Sequence, residues 1–243
     1  MQKLLFAFIF ILLSASTIAQ DCVVLLHGMA RSHRSTYKME EALKTDGYEV
    51  INFDYPSTKH NIATLAKDYL PKAINQCRPN TTIHFVTHSL GGIVLRQYLS
   101  NGLYNNKLEK LGRVVMLGPP NKGSQVVDTL RDVPGYLWLN GPAGLQLGTD
   151  RNSVPNSLGA VTYPVGIIAG NSSINLILSQ MLPSRNDGKV SVENTKVEGM
   201  TDHLVVPVSH PFLMRNNEVI LQVKAFLKTG KFLRNEDQAS LKK

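Results

Sequence analysis

Several signatures that would commit a chain to a particular chemistry are missing here. There is no His-Glu-x-x-His, no pair of cysteines at zinc spacing and no glycine-rich phosphate loop, so a zinc site or a phosphate-cradling site is not expected. No metal or cofactor is called for by any motif, and no internal repeat divides the 243 residues. Acidic residues are few against basic ones, 18 to 26, leaving a formal net charge of +8. The excess gathers near the C-terminus, at Lys224, Lys228, Lys231, Arg234, Lys242 and Lys243. No nucleic-acid motif accompanies it, so a nucleic-acid partner is not expected. A solvated basic tail is the simple account, with peripheral contact to anionic membrane or envelope lipid as the alternative.

One apolar run stands out. Leu4 to Leu13 follows Lys3 and precedes the small and polar Ser14-Ala15-Ser16-Thr17-Ile18-Ala19. Ten apolar residues are short for a bilayer span but suit the middle zone of a secretory signal peptide, with a cut after Ala19. The expectation is an exported protein, periplasmic or secreted, in which 1–19 is removed and 20–243 forms one domain. An oxidising compartment permits a disulfide between the two cysteines, Cys22 and Cys77, if the strands beside them are parallel neighbours; two buried free thiols are the alternative. Asn80-Thr81-Thr82 and Asn171-Ser172-Ser173 fit the glycosylation pattern, which matters only in a eukaryotic secretory pathway.

The composition is 43% hydrophobic, enough for a sizeable core. Short apolar runs at Val23–Leu26, Tyr48–Phe53, Ile83–Val86, Arg113–Leu117, Tyr163–Ala169 and Leu204–Val208 read as strands buried on both faces. Helical patterns lie between them, at about 35–46, from Ile62 to Ile74 with a kink at Pro71, from Ile93 to about Asn101, and at Asn217–Lys228. Strands alternating with helices imply an α/β fold, a mostly parallel sheet of about six strands covered on both faces. The stretch at about 119–162 breaks the rhythm, being rich in Gly, Pro and Asn around Tyr136-Leu137-Trp138-Leu139. A segment that long after the fourth strand reads as a small cap over an acyl pocket, or as Trp138 and its neighbours packing on the core.

The chemistry centres on Ile83 to Gly92, where an apolar strand breaks into Thr87-His88-Ser89-Leu90-Gly91-Gly92 and a helix follows. Strand, tight turn with serine, then helix is what a nucleophile elbow requires, which makes Ser89 the candidate nucleophile. Thr87 stands where glycine is usual and adds bulk near the turn. A serine hydroxyl needs a base and an acid to orient that base, in the chain order serine, acid, histidine. Downstream histidines are His203 and His210; His210, in a loop past the sixth strand, can reach over the strands' carboxyl ends, whereas His203 precedes that strand. Asp187, in the turn Asn186-Asp187-Gly188, is the candidate acid ahead of Asp150 and Asp202, although a turn aspartate also serves as an Asx turn. The oxyanion donors are then the N–H groups of Leu90 and Met29, with Gly28 giving the early loop its freedom. His27 is read as a prop of that loop and His88 as a support of the elbow.

Together, Leu25-Leu26-His27-Gly28-Met29, Thr87-His88-Ser89-Leu90-Gly91-Gly92, Asn186-Asp187-Gly188-Lys189-Val190 and Ser209-His210 resemble the α/β-hydrolase fold, in particular small bacterial lipases and esterases. The resemblance spans nearly the whole chain after Ala19. It implies a Ser89–His210–Asp187 triad, oxyanion donors Met29 and Leu90, and hydrolysis of carboxylic esters, with acyl lipids as the substrate class, through an acyl-enzyme. It also implies that the first strand and the elbow strand are neighbours, which supports a Cys22–Cys77 bridge. The alternatives are a thioesterase, a lipid deacylase or acyltransferase on the same fold, or a non-catalytic binding protein. Neither acyl length nor oligomeric state is legible.

Overall fold

The computed structural model describes residues 20–100, 110–174 and 176–234; the expected signal segment, 1–19, lies outside them. In chain order, β1 (Cys22–Leu26) leads to α1 (Tyr37–Thr45) and β2 (Glu49–Phe53). Next come α2 (Ile62–Thr64), a π-helical turn at Leu65–Tyr69, and α3 (Leu70–Ile74). Pro71 lacks the N–H that an unbroken α-helix would need, and the widened turn just before it absorbs the mismatch expected there. β3 (Ile83–His88) and α4 (Leu90–Ser100) form the elbow, followed by β4 (Leu111–Leu117).

Between β4 and β5 (Val165–Gly170) the long insertion is helical, with α5 (Gln125–Leu130), α6 (Tyr136–Leu145) and α7 (Val154–Ser157). The short α8 (Leu176–Gln180) and α9 (Val192–Thr195) precede β6 (Asp202–Val206), and α10 (Asn217–Thr229) closes the described chain. β6 begins two residues before its expected start and ends at Val206, because Pro207 has no N–H to offer a neighbouring strand. His203 is therefore inside the strand, at its N-terminal end, and its Nε2 lies 3.0 Å from Thr195 Oγ1.

All six strands are parallel, in the order β2-β1-β3-β4-β5-β6. Side chains alternate between the faces, so each strand feeds two cores. Val24, Leu26, Phe85, Val114 and Met116 join α2–α4 and the insertion on one face. Val23, Leu25, Val86, Val115 and Leu117 join Met39 and Leu43 of α1 and the apolar side of α10 on the other. The chain leaves β1 toward β2 and returns beside β1 as β3, so the strand order reverses at the β1–β3 junction. Open parallel sheets bind ligands outside the strand ends at such a reversal.

Cys22 and Cys77 are bridged, with Cα atoms 5.9 Å apart. The bridge ties the start of β1 to the segment just before β3, away from the ends that carry the loops of interest. No helix among the described residues is long and apolar enough to cross a membrane.

Candidate active site

The turn after β3 is drawn by Ser89, whose φ of 51° is left-handed, a conformation costing a non-glycine residue about 1–2 kcal/mol. Its surroundings hold it there. Ser89 N–H donates to the Leu117 carbonyl at 2.9 Å, and its own carbonyl accepts from Gly92 N–H at 3.0 Å. The helix can begin so abruptly because Gly91 passes β1 closely: a Cβ at position 91 would lie 2.8 Å from the Leu26 oxygen. Thr87 is accommodated for a related reason. The strand runs on through His88, so Thr87 is not in the turn, and its Oγ1 faces Gly92, where a Cβ would be 3.2 Å away.

The loop after β1 faces the elbow. Gly28 is needed there for space and not for an unusual φ, since a Cβ would meet His88 Nδ1 at 2.8 Å and the Ser89 Cβ at 3.3 Å. The left-handed residue of that loop is Ala30, with φ 53°, and its N–H donates to Ser57 Oγ at 3.2 Å. His27 is fully buried: Nδ1–H donates to the Gly28 carbonyl at 2.8 Å, its ring stacks on Tyr55, and the Tyr55 hydroxyl donates to the His27 carbonyl at 2.6 Å. Burial lowers its pKa, so it props the loop as a neutral ring. Met29 follows with a side chain packed toward α6 at Gly144. Leu90 is the first residue of α4, where an N–H has no partner within the helix.

Asp187 and His210 meet although 23 residues separate them. His210 Nδ1 is 2.7 Å from Asp187 Oδ2, and the His210 N–H donates to the Asp187 carbonyl at 3.0 Å. The Asp187 carboxylate is fully buried, and its other oxygen, Oδ1, accepts the N–H groups of Lys189 and Val190 at 3.0 and 2.9 Å. Asp187 thus makes an Asx turn and holds a histidine at once, one oxygen for each. His203 and Asp202, at the start of β6, and Asp150, paired with Arg131, have no part in this cluster.

Ser89, His210, Met29 and His88 line one cavity of about 660 Å³. Its apolar wall comes from the insertion, through Val126, Val127, Leu130, Tyr136 and Leu147. Trp138 does not pack on the core: it is 88% exposed at the cavity's edge, with Leu139 beside it. The insertion is anchored from below by Arg96 of α4. This buried guanidinium donates to the Asn121 carbonyl and Oδ1 and to the Pro155 and Gly159 carbonyls at 2.7–3.2 Å.

Two positions that sequence reasoning passed over shape the cluster. Gly118, just past β4, has φ 54°, and a Cβ there would sit 3.0 Å from Asp187 Oδ2 and 3.1 Å from His210 Nδ1. A Cβ on Gly170, the last residue of β5, would likewise sit 2.8 Å from the Asp187 Cβ and closer still to the Val208 carbonyl oxygen. A glycine closing a strand in an otherwise apolar run was the available signal for both. His88 Nε2–H donates to the His210 carbonyl at 3.0 Å, a support longer in reach than the elbow alone.

Comparison with known families matches residues 23–177 to the one described as Alpha/beta hydrolase family. Among solved structures, the fold is similar to the mature lipase BlEst2 of Bacillus licheniformis, at 21% identity and a TM-score of 0.63, covering 88% of this chain and 93% of that one. It is also similar to phospholipase PlaB from Legionella pneumophila, at 16% identity and a TM-score of 0.61, covering 79% of this chain and 53%, about half, of that one. A metagenomic carboxyl esterase, MGS0156, aligns at 17% identity with a TM-score of 0.60, over 80% of this chain and 65% of the other. At these identities the likeness is one of fold. No match was found among curated proteins.

Proposed function

Because the chain belongs to the alpha/beta hydrolase family, we propose that it is an exported serine hydrolase of carboxylic esters, with acyl lipids as its substrate class. The observation that carries this reading is the strained Ser89 in one cavity with His210, whose Nδ1 is held 2.7 Å from a buried Asp187 carboxylate. In this reading Ser89 Oγ attacks the ester carbonyl carbon as its proton passes to His210 Nε2. Asp187 keeps Nδ1–H in place and offsets the charge of the imidazolium. The N–H groups of Met29 and Leu90 receive the oxyanion. His210 then gives the proton to the departing alkoxide, and water, deprotonated by the same ring, releases the acyl group as the acid and frees Ser89.

The apolar wall of the cavity suits an acyl chain, and lipases and a phospholipase are among the proteins of similar fold. Exposed Leu137, Trp138 and Leu139 beside the cavity, with Ile174 and Ile177 also exposed, offer apolar side chains for peripheral contact with a lipid surface. The disulfide and the signal-like N-terminus support export.

The test is a series of nitrophenyl esters of rising acyl length, with labelling by a fluorophosphonate. Native protein should be labelled and turn over the longer esters, and Ser89→Ala should do neither, losing at least about a thousandfold in kcat/KM. Equal turnover by both proteins would remove Ser89 from the mechanism. Absence of labelling in folded native protein would favour a non-catalytic binding protein.

A further inference from the structure

The cavity that holds Ser89 is lined by two cationic side chains, Arg31 and Lys189, and by no carboxylate. Each is fixed to a different part of the candidate machinery. Arg31 follows Met29 and Ala30, in the loop pinned by Ala30 N–H on Ser57 Oγ. Lys189 follows Asp187 by two residues; its N–H is bonded to Asp187 Oδ1, and its carbonyl accepts from Ser124 Oγ at 2.7 Å. The one carboxylate near Lys189, that of Asp187, is already taken up by His210 and two N–H groups. Two cations that no carboxylate of the cavity neutralises repel each other. Both side chains keep solvent exposure along the cavity; the Lys189 pKa is lowered, first by partial desolvation and then by Arg31, with Asp187 acting in the opposite sense. An anion between them relieves that cost.

The placement of Lys189 says which end of a substrate would carry the anion. A departing alkoxide takes its proton from His210, so the alcohol part of an ester lies on the His210 side, while the acyl chain runs along the apolar wall. Lys189 and His210 both line that cavity and also a smaller hollow of about 190 Å³ beside it. The cation therefore stands on the leaving-group side.

We propose that this site selects acyl esters whose alcohol carries a phosphate, such as acylglycerophosphates, over neutral glycerides of the same chain, with Arg31 and Lys189 as the phosphate-recognising pair. This rests on the assignment of Ser89 and His210 above and names the substrate class of that site. Charge-assisted hydrogen bonds to a phosphate, in a site with apolar walls, supply the discrimination.

Two readouts separate this inference from the catalytic assignment. The probes are 1-octanoylglycerol-3-phosphate and 1-octanoylglycerol, each below its critical micelle concentration so that adsorption to a lipid surface plays no part. The first readout is binding to the Ser89→Ala protein by calorimetry; the second is kcat/KM of the native protein. The phosphate ester should bind at least about tenfold more tightly and be cleaved with at least that advantage, the preference shrinking as salt screens it. In Arg31→Ala/Lys189→Ala the ratio should fall to near one. Arg31→Gln alone, with the salt dependence of the native protein, serves if the double variant does not fold. A ratio near one in the native protein, or a preference that survives in the variants or is indifferent to salt, overturns the inference. Preferential binding without any hydrolysis would support the inference and overturn the catalytic assignment.

Discussion

His88 Nε2–H donates to the main-chain carbonyl of His210 at 3.0 Å, across 122 residues of sequence. A carbonyl can only accept, so the proton is on Nε2 and Nδ1 carries a lone pair. Burial, then the nearness of His210, pushes the His88 pKa well below the ordinary histidine range, so the ring is neutral. The residue before the candidate nucleophile thereby grips the backbone of the candidate base, and the two rings lie 4.7 Å apart. His88 is a positioning residue in this account. His88→Phe should lower kcat by about tenfold to a hundredfold with KM little changed, because a small displacement of the base is costly. His88→Gln, which keeps an N–H donor, should recover part of the loss. A KM effect alone, or no difference between the two variants, would show that the contact only fills space.

Gly118 tests whether the Asp187–His210 pair needs the clearance it has. A methyl group there would meet Leu213 Cδ1 at 2.9 Å as well as both members of the pair, and φ is left-handed. Gly118→Ala should cost about 1–3 kcal/mol and at least tenfold in kcat. Gly159→Ala is the comparison, since φ there is also positive, at 67°, but nothing lies within 4 Å of the added atom. It should show only the backbone cost of about 1–2 kcal/mol in urea unfolding, with kcat unchanged. Equal effects at the two positions would refute the steric account.

The bridge between Cys22 and Cys77 closes a loop with a sequence separation of 55. On the chain-entropy model this is worth about 4 kcal/mol. Cys22→Ser/Cys77→Ser should lower stability by that order while leaving the Ser89 cavity intact. Mass spectrometry of the protein before and after alkylation checks the oxidation state. A free thiol count of two in native protein would contradict the structure.

Four histidines, the buried His27, His84 and His88 and the half-buried His203, have pKa values lowered from the usual 6.5, with desolvation the largest cause in each. In each, the unfolded chain binds a proton more readily than the folded one. Their contribution to stability is full above the unfolded value and is lost as pH falls from 6.5 toward the folded values. The melting temperature should therefore drop by at least about 4 °C between about pH 7.5 and pH 5.5, and unfolding there should take up protons. A melting temperature that is flat or rises on acidification through that range would count against this.

What the sequence determined by itself is what is written locally. Six apolar runs that alternate their side chains, with helical spacing between them, are enough for a parallel sheet with two cores, because strand and helix periods act over a few residues. Ser89 in its turn, and the order Ser89, Asp187, His210, are legible for the same reason. What tertiary structure decided is whatever depends on residues far apart in the chain coming within a few ångströms. Gly92, from the next helix, makes room for Thr87. His88 is what makes Gly28 necessary, while the left-handed residue of that loop is Ala30. Asp187 divides its two oxygens between an Asx turn and His210 because a loop past β6 returns to it. Arg31 and Lys189, unremarkable basic residues in sequence, come to line one cavity only when β1 and the turn after β5 are brought to the same end of the sheet.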